Sequence, residues 1–300
     1  MQNRVILYHV VAFLTIVIWG STFVFTKMLL LDGLSPAQIF TLRFIIAYVL
    51  LLLFSLTRRS RRWVSDTWRD ELLMVALGVT GGSVYFLAEN EALRFTTTTN
   101  ASLIVCSCPL FASLLIGLFY KSERLNLTQV AGMLLAFVGL VFVVMNGHFV
   151  LHLSPKGDAL AFTACLCWAF YSLLLMPANK RYDAVFITRK VFFYGLLTMI
   201  PYYLFVEPFD VTVLQNFSTS MLLNLLYLGV VASMLCFLVW TWVMDKLGAV
   251  VATNWVYLNP VSTIVFAWWL LSEQITPWFL LGTVLILWGM YLCDKKKTTS

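Results

Sequence analysis

Residues Ala92–Val141 read ALRFTTTTNASLIVCSCPLFASLLIGLFYKSERLNLTQVAGMLLAFVGLV, and residues Val243–Leu292 read VMDKLGAVVATNWVYLNPVSTIVFAWWLLSEQITPWFLLGTVLILWGMYL. The second stretch is a divergent copy of the first. Pro109 matches Pro260, Glu123 matches Glu273, Gly132 matches Gly282 and Gly139 matches Gly289, with one extra residue between proline and glutamate in the first copy. Each copy holds two long apolar runs separated by a short turn containing Ser-Glu.

The solvent for this repeat is set by composition. The 300 residues are 61% hydrophobic and 11% charged, with a mean hydropathy of +0.89, whereas soluble domains are about 45–50% apolar and about 25% charged. Lipid must therefore cover most of the surface. A spanning helix takes roughly 20 apolar residues. Ten such runs account for about 200 residues, and no soluble catalytic domain fits in the rest. A repeat inside such a chain is the usual sign of a transporter made of two related halves. The cysteines (Cys106, Cys108, Cys165, Cys167, Cys236, Cys293) sit in or beside apolar runs without zinc-ligand or thioredoxin spacing and read as small buried hydrophobes. A cleaved signal peptide is not expected, because the first run continues to about Leu31 without a small-residue cleavage pattern.

The runs predict helix 1 at Leu7–Leu31, helix 2 at Pro36–Leu56, helix 3 at Leu72–Asn90, helix 4 at Thr97–Tyr120 and helix 5 at Leu127–Met145. After a polar linker, Asn146–Pro155, come helix 6 at Gly157–Met176, helix 7 at Ala184–Phe205, helix 8 at Met221–Met244, helix 9 at Ala249–Leu271 and helix 10 at Pro277–Cys293. Orientation follows from Lys and Arg in the loops. With the N-terminus inside, the cytoplasmic side carries Arg4, Arg58, Arg59, Arg61, Arg62, Arg69, Lys121, Arg124, Lys180, Arg181, Arg189, Lys190, Lys246 and Lys295–Lys297. Only Lys27, Arg94 and Lys156 fall outside, and Arg43 lies within helix 2. This accounts for the net charge of +6 without nucleic acid. Both termini face inward, and an odd number of helices per half inverts the second half relative to the first. The opening helices match more weakly, through Trp19 in TIVIWGSTFVF and Trp168 in TACLCWAFYSL.

WGSTFVFTK at Trp19–Lys27, the Pro36…Arg43 pair and the two proline-to-Ser-Glu-to-glycine units resemble the drug/metabolite transporter superfamily, specifically its ten-helix EamA-type members. The likeness covers nearly the whole chain. It implies an all-α integral membrane protein with ten transmembrane helices in two inverted five-helix repeats, over 1–147 and 154–293. It implies alternating access around a central cavity and, most often, export of small metabolites such as amino acids, from the inner membrane. No cofactor or metal is expected, and the partners are a small-molecule substrate and the lipid bilayer, with the monomer as the working unit. The rival reading, an integral-membrane enzyme or lipid-handling protein, needs clustered nucleophile or His/Asp motifs that are not seen.

Several polar residues interrupt the apolar runs. Arg43 lies about 10 Å into helix 2 at 1.5 Å per residue, and a charge there costs at least about 2.5–3.5 kcal/mol. It should face the interior with Glu89 as partner, either as a static ion pair or as an outer gate or substrate contact. Lys27 either snorkels to the interface or serves the outer cavity. Glu123 and Glu273 are expected to cap the helices that follow them. The glycines Gly132/Gly139 and Gly282/Gly289 should let helices 5 and 10 pack closely. His148 and His152 have a helical ligand spacing but no third ligand, so they read as linker. Hydrogen-bonding groups in hydrocarbon prefer an interior or a watered cavity, and the set comprises Trp19, Ser21, Thr22, Tyr85, Asn100, Trp168, Tyr171, Ser172, Trp240, Asn254, Tyr257 and Asn259. Among these, Trp240 (with Trp242) also fits an inner aromatic belt. The residues assigned to substrate binding or gating are Trp19, Thr22, Arg43, Tyr85, Glu89, Asn100, Trp168, Tyr171, Asn254 and Tyr257. An inner gate is expected between Arg189 or Lys190 and Asp245. The cavity is expected between helices 1–4 and 6–9.

Overall fold

The structure is a computed structural model. It describes residues 2–57, 62–96, 98–145, 154–212, 217–271 and 275–294, with the side chains of residues 2–4, 27, 93, 98–100, 102, 122, 267, 270, 271 and 294 outside the description. Among the described residues, eight helices are long and apolar enough to cross a membrane, and two shorter apolar helices, Leu103–Phe119 and Pro277–Cys293, complete the ten-helix pattern.

Helix 1 is Gln2–Leu31 and helix 2 is Pro36–Thr57. Helix 3 runs as Trp68–Gly78, a π-helical turn Val79–Ser83, and Val84–Phe95. Helix 4 is Thr98–Val105 followed, after a break, by Cys108–Phe119, and helix 5 is Leu127–Met145. Helix 6 is Pro155–Asn179. Helix 7 is Ala184–Leu197 and, after a break, Ile200–Phe205. Helix 8 is Thr219–Leu226, a π-helical stretch Tyr227–Leu235, and Cys236–Leu247. Helix 9 is Ala249–Asn254, a 3-10 turn Trp255–Leu258, and Asn259–Leu271, and helix 10 is Pro277–Asp294.

Helices 3, 6 and 8 each begin earlier than hydropathy places them, because polar residues build their first turns. Thr67 accepts from the Asp70 amide, Ser154 from Gly157 and Ser218 from Met221, which satisfies amides that a helix start leaves open. Glu123 does not cap helix 5. It ends a short 3-10 turn, and Asn126 and Gln129 form a reciprocal cap instead, with Asn126 N donating to Gln129 Oε1 (3.0 Å) and Gln129 N to Asn126 Oδ1 (2.8 Å). Glu273 and the linker histidines His148 and His152 lie outside the described residues. The repeated prolines act alike. Pro109 and Pro260 lack an N–H, and both stand at the start of the second segment of a broken helix, helix 4 and helix 9.

Helices 5 and 10 pack along each other at one side of the bundle. A Cβ built on Gly139 would meet the Gly282 carbonyl at 2.6 Å, and one on Gly132 would meet the Gly289 carbonyl at 2.6 Å. Because the two helices run antiparallel, each glycine faces the repeat mate of the other one: Gly132 lies against Gly289 and Gly139 against Gly282. The other helices pack mainly across the halves, helix 1 on 8 and 9, helix 2 on 7 and 8, helix 3 on 6 and 7, and helix 4 on 6 and 9. Trp240 is no belt residue. It is fully buried, with its ring 5.1 Å from Trp19.

Candidate functional site

A cavity of about 270 Å³ lies between the halves. Helix 1 lines it from Trp19, mid-helix, to Leu30 at its far end. Arg43 enters from helix 2, Tyr85, Phe86, Glu89 and Asn90 from helix 3, Cys106 and Cys108 from the break in helix 4, Trp168 from helix 6, Phe237 from helix 8, and Val256 and Asn259 from the break in helix 9. Helix 7 contributes no lining residue, contrary to expectation, because its basic face is used elsewhere.

The walls are aromatic. Trp19 and Trp168 meet edge to face at 5.4 Å, Tyr85 lies 5.2 Å from Trp168, and Phe237 lies 5.6 Å from Trp19. Trp19 is fixed by a bond from its indole N–H to the Ala232 carbonyl (2.9 Å), and the Thr22 hydroxyl donates to the Trp19 carbonyl (2.6 Å). Two charges share this apolar space. Arg43, 4% exposed, donates from Nε to Ser233 Oγ at 2.9 Å and lies 4.9 Å over the Phe86 ring. Its two terminal nitrogens have no hydrogen-bond partner among the described residues. Glu89, also buried, receives the Tyr85 hydroxyl at 3.0 Å. The two charges line one cavity, but no salt bridge joins them; each is held by a neutral neighbour.

Six of the ten residues assigned from sequence line the cavity: Trp19, Thr22, Arg43, Tyr85, Glu89 and Trp168. Tyr171 packs behind Trp168, its ring seated where Gly81 has no side chain, and Tyr257 is fully buried outside the lining. Asn254 lines a separate cavity beside His9 and Tyr291, because the 3-10 turn of helix 9 divides it from Asn259. The Asn100 and Lys27 side chains lie outside the description. Ser233 was not singled out by sequence; a serine in an apolar helix gives no signal until Arg43 is placed beside it.

The basic side of helix 7 closes the opposite, N-terminal side. Glu71, at the start of helix 3, accepts from Lys190 Nζ and the Tyr194 hydroxyl, and Asp70 accepts from Arg181 Nη1 at 2.6 Å. Arg189 donates to the Arg62 carbonyl and lies 4.4 Å over the Trp63 ring, while the Asp66 amide donates to the Tyr182 hydroxyl (2.8 Å). The expected pairing with Asp245 does not form. Asp245 is exposed and takes its neighbour Lys246 at 2.7 Å, since helix 7 turns its lysine toward helix 3.

The EamA-like transporter family model matches residues 6–145 and 155–293. The chain belongs to the EamA-like transporter family. It is a multi-pass membrane transporter of small molecules, not an enzyme. This EamA-like transporter is similar to an uncharacterized transporter of Archaeoglobus fulgidus (29% identity, 96% of this chain and 98% of that one). It is also similar to a probable amino-acid metabolite efflux pump of Escherichia coli (24%, covering 94% and 93%) and to a probable terminal-alkyne amino-acid exporter of Streptantibioticus cattleyicolor (25%, covering 94% and 92%). A solved crystal structure shares the fold, with a TM-score of 0.76 at 19% identity over 95% of this chain and 96% of that chain.

Proposed function

We propose that this transporter exports zwitterionic small metabolites, amino acids or close relatives, across the cell inner membrane by alternating access between its two repeats. It works as a monomer with both termini in the cytoplasm. The observation that carries this reading is the pair of opposite charges in one aromatic cavity. Arg43 is oriented by Ser233 through Nε, which leaves its terminal nitrogens free for a carboxylate, a match to the planar fork of guanidinium. Glu89 offers a carboxylate to an ammonium group, and the indole and phenyl walls suit an apolar side chain. The names of the E. coli and S. cattleyicolor relatives support the amino-acid class.

The direction of opening supports alternating access. The cavity reaches Thr26 and Leu30 near the outer end of helix 1, while the Glu71–Lys190 and Asp70–Arg181 contacts join the halves on the basic, inner side. The described state is then outward-facing. Counterflow of labelled amino acids in reconstituted vesicles tests the proposal. Saturable exchange by the parent protein that is lost in Arg43→Gln is expected; exchange of amino acids that survives this change rejects Arg43 as the carboxylate site.

A further inference from the structure

The repeat extends into the packing between halves, which allows one contact of the opposite state to be located. Helix 3 at Leu77-Gly78-Val79-Thr80-Gly81-Gly82 aligns without a gap on helix 8 at Leu228-Gly229-Val230-Val231-Ala232-Ser233, and both stretches are π-helical over part of their length. Helices 2 and 7 align through their starts, Ser35 and Asp183, which pairs Ile46 with Tyr194 and Arg43 with Val191.

The structure repeats these pairings in space. A Cβ built on Gly229 would lie 2.8 Å from the Ile46 Cβ, and one on Gly78 would lie 2.5 Å from the Tyr194 Cβ. Ser233 touches Arg43, and a Cβ on Gly82 would lie 3.9 Å from the Val191 carbonyl. The indole bond of helix 1 is present on a single side, although both halves carry the tryptophan. The Trp19 indole donates to the Ala232 carbonyl, but the indole N–H of its repeat mate Trp168 is buried without a partner among the described residues, although Trp168 touches Trp19. The mate of Ala232 is Gly81. Side-chain volume differs across the repeat there: Tyr171, the repeat mate of Thr22, has its ring seated where Gly81, the mate of Ala232, has no side chain.

We infer that Trp19 and Trp168 are reciprocal positioning residues: in the inward-facing state the Trp168 indole donates to the Gly81 carbonyl and the Trp19–Ala232 bond is released. The proposal rests on the alternating-access reading. Buried donors are normally paired, and the pseudo-two-fold axis of an inverted repeat gives each contact on one side of the membrane a symmetry-related position on the other, which rocking of one half against the other can bring together. A donor orphaned in one half, where its mate is satisfied in the other, therefore marks a contact of the other state. The π-helical stretches fit this role, since such local departures from α geometry recur at functional positions. The helix 3 stretch already bends at Gly82, where φ is −125° and ψ is −107°.

The test uses the full chain with its six cysteines replaced and a single Thr26→Cys reporter at the cavity, probed with an impermeant thiol reagent from the cavity side. Trp19→Phe removes a bond made only in the outward state and should lower the outward-to-inward ratio roughly three- to tenfold, the range expected for one buried neutral hydrogen bond, and so slow labelling in proportion to the outward fraction lost. Trp168→Phe removes a bond made only in the inward state and should raise or preserve labelling while slowing exchange turnover. Both variants moving labelling in the same direction, as for a general packing defect, overturns the exchange. Labelling lowered by Trp168→Phe alone overturns it too. Alternating access fails separately if labelling is identical in every variant, including one with Glu71→Gln on the inner side.

Discussion

Neutralising Glu71 should open the inner side of the transporter. Its carboxylate receives the Lys190 ammonium, the Tyr194 hydroxyl and, at 3.3 Å, the Ser65 amide. Hydrogen bonds to charged groups contribute about 1.5–3 kcal/mol each when buried. Glu71 is 27% exposed and Lys190 12%, so screening lowers this toward the value of a partly solvated pair. Glutamine keeps the shape and can still accept from Tyr194. The loss is then the charge term with Lys190, about 1–2 kcal/mol, or roughly a 5- to 30-fold shift in the ratio of closed to open inner side. Hydrogen–deuterium exchange reads the shift directly. The Asp66 amide is held by Tyr182 in the same contact, so peptides spanning residues 62–71 and 181–194 should exchange about tenfold faster in Glu71→Gln, with peptides of helices 5 and 10 unchanged. The reasoning is refuted if exchange in 62–71 is unaltered, or if it rises equally in helices 5 and 10, which is the mark of global loosening.

Other substitutions test other parts of the structure. Gly139→Leu forces a side chain against the Gly282 backbone, which cannot yield as a flexible side chain does; it should cost about 2–3 kcal/mol and lower the melting temperature in detergent, whereas Gly117→Ala, whose Cβ meets nothing closer than 3.6 Å, should not. Arg43→Lys keeps the charge but loses the fork and the Ser233 bond, so amino-acid affinity should fall about 10- to 100-fold in a thermal-shift titration, with Ser233→Ala giving a smaller loss. If a proton drives exchange through Glu89, Glu89→Gln abolishes pH-driven exchange and, because the ammonium loses its carboxylate, also weakens amino-acid counterflow at symmetric pH; retention of full pH-driven exchange removes Glu89 from that role. For topology, a reporter fused after Lys297 should be active in the cytoplasm and one inserted near His148 on the outer side, and the reverse pattern rejects the orientation.

The sequence alone determined the membrane class, the ten-helix pattern and the two related halves, and it matched Pro109 to Pro260, though the breaks that both prolines follow came only with the structure. Each follows from a one-dimensional quantity: the composition, the length of apolar runs, or the match of one stretch of chain to another. It also placed Arg43, Glu89, Trp19 and Trp168 correctly as interior residues, because polar groups in hydrocarbon have few other places to go. Tertiary structure alone decided which of them converge. A π turn slips the helical register by a residue, about 100° of rotation, so the face that Glu89 presents cannot be projected from the start of helix 3. The 3-10 turn of helix 9 likewise separates Asn254 from Asn259. Choice of partner was equally hidden. Lys190 meets Glu71 rather than Asp245, and Arg43 meets Ser233 rather than Glu89, because partners are fixed by which helices of the opposite half pack against each other, and local sequence spacing does not encode that.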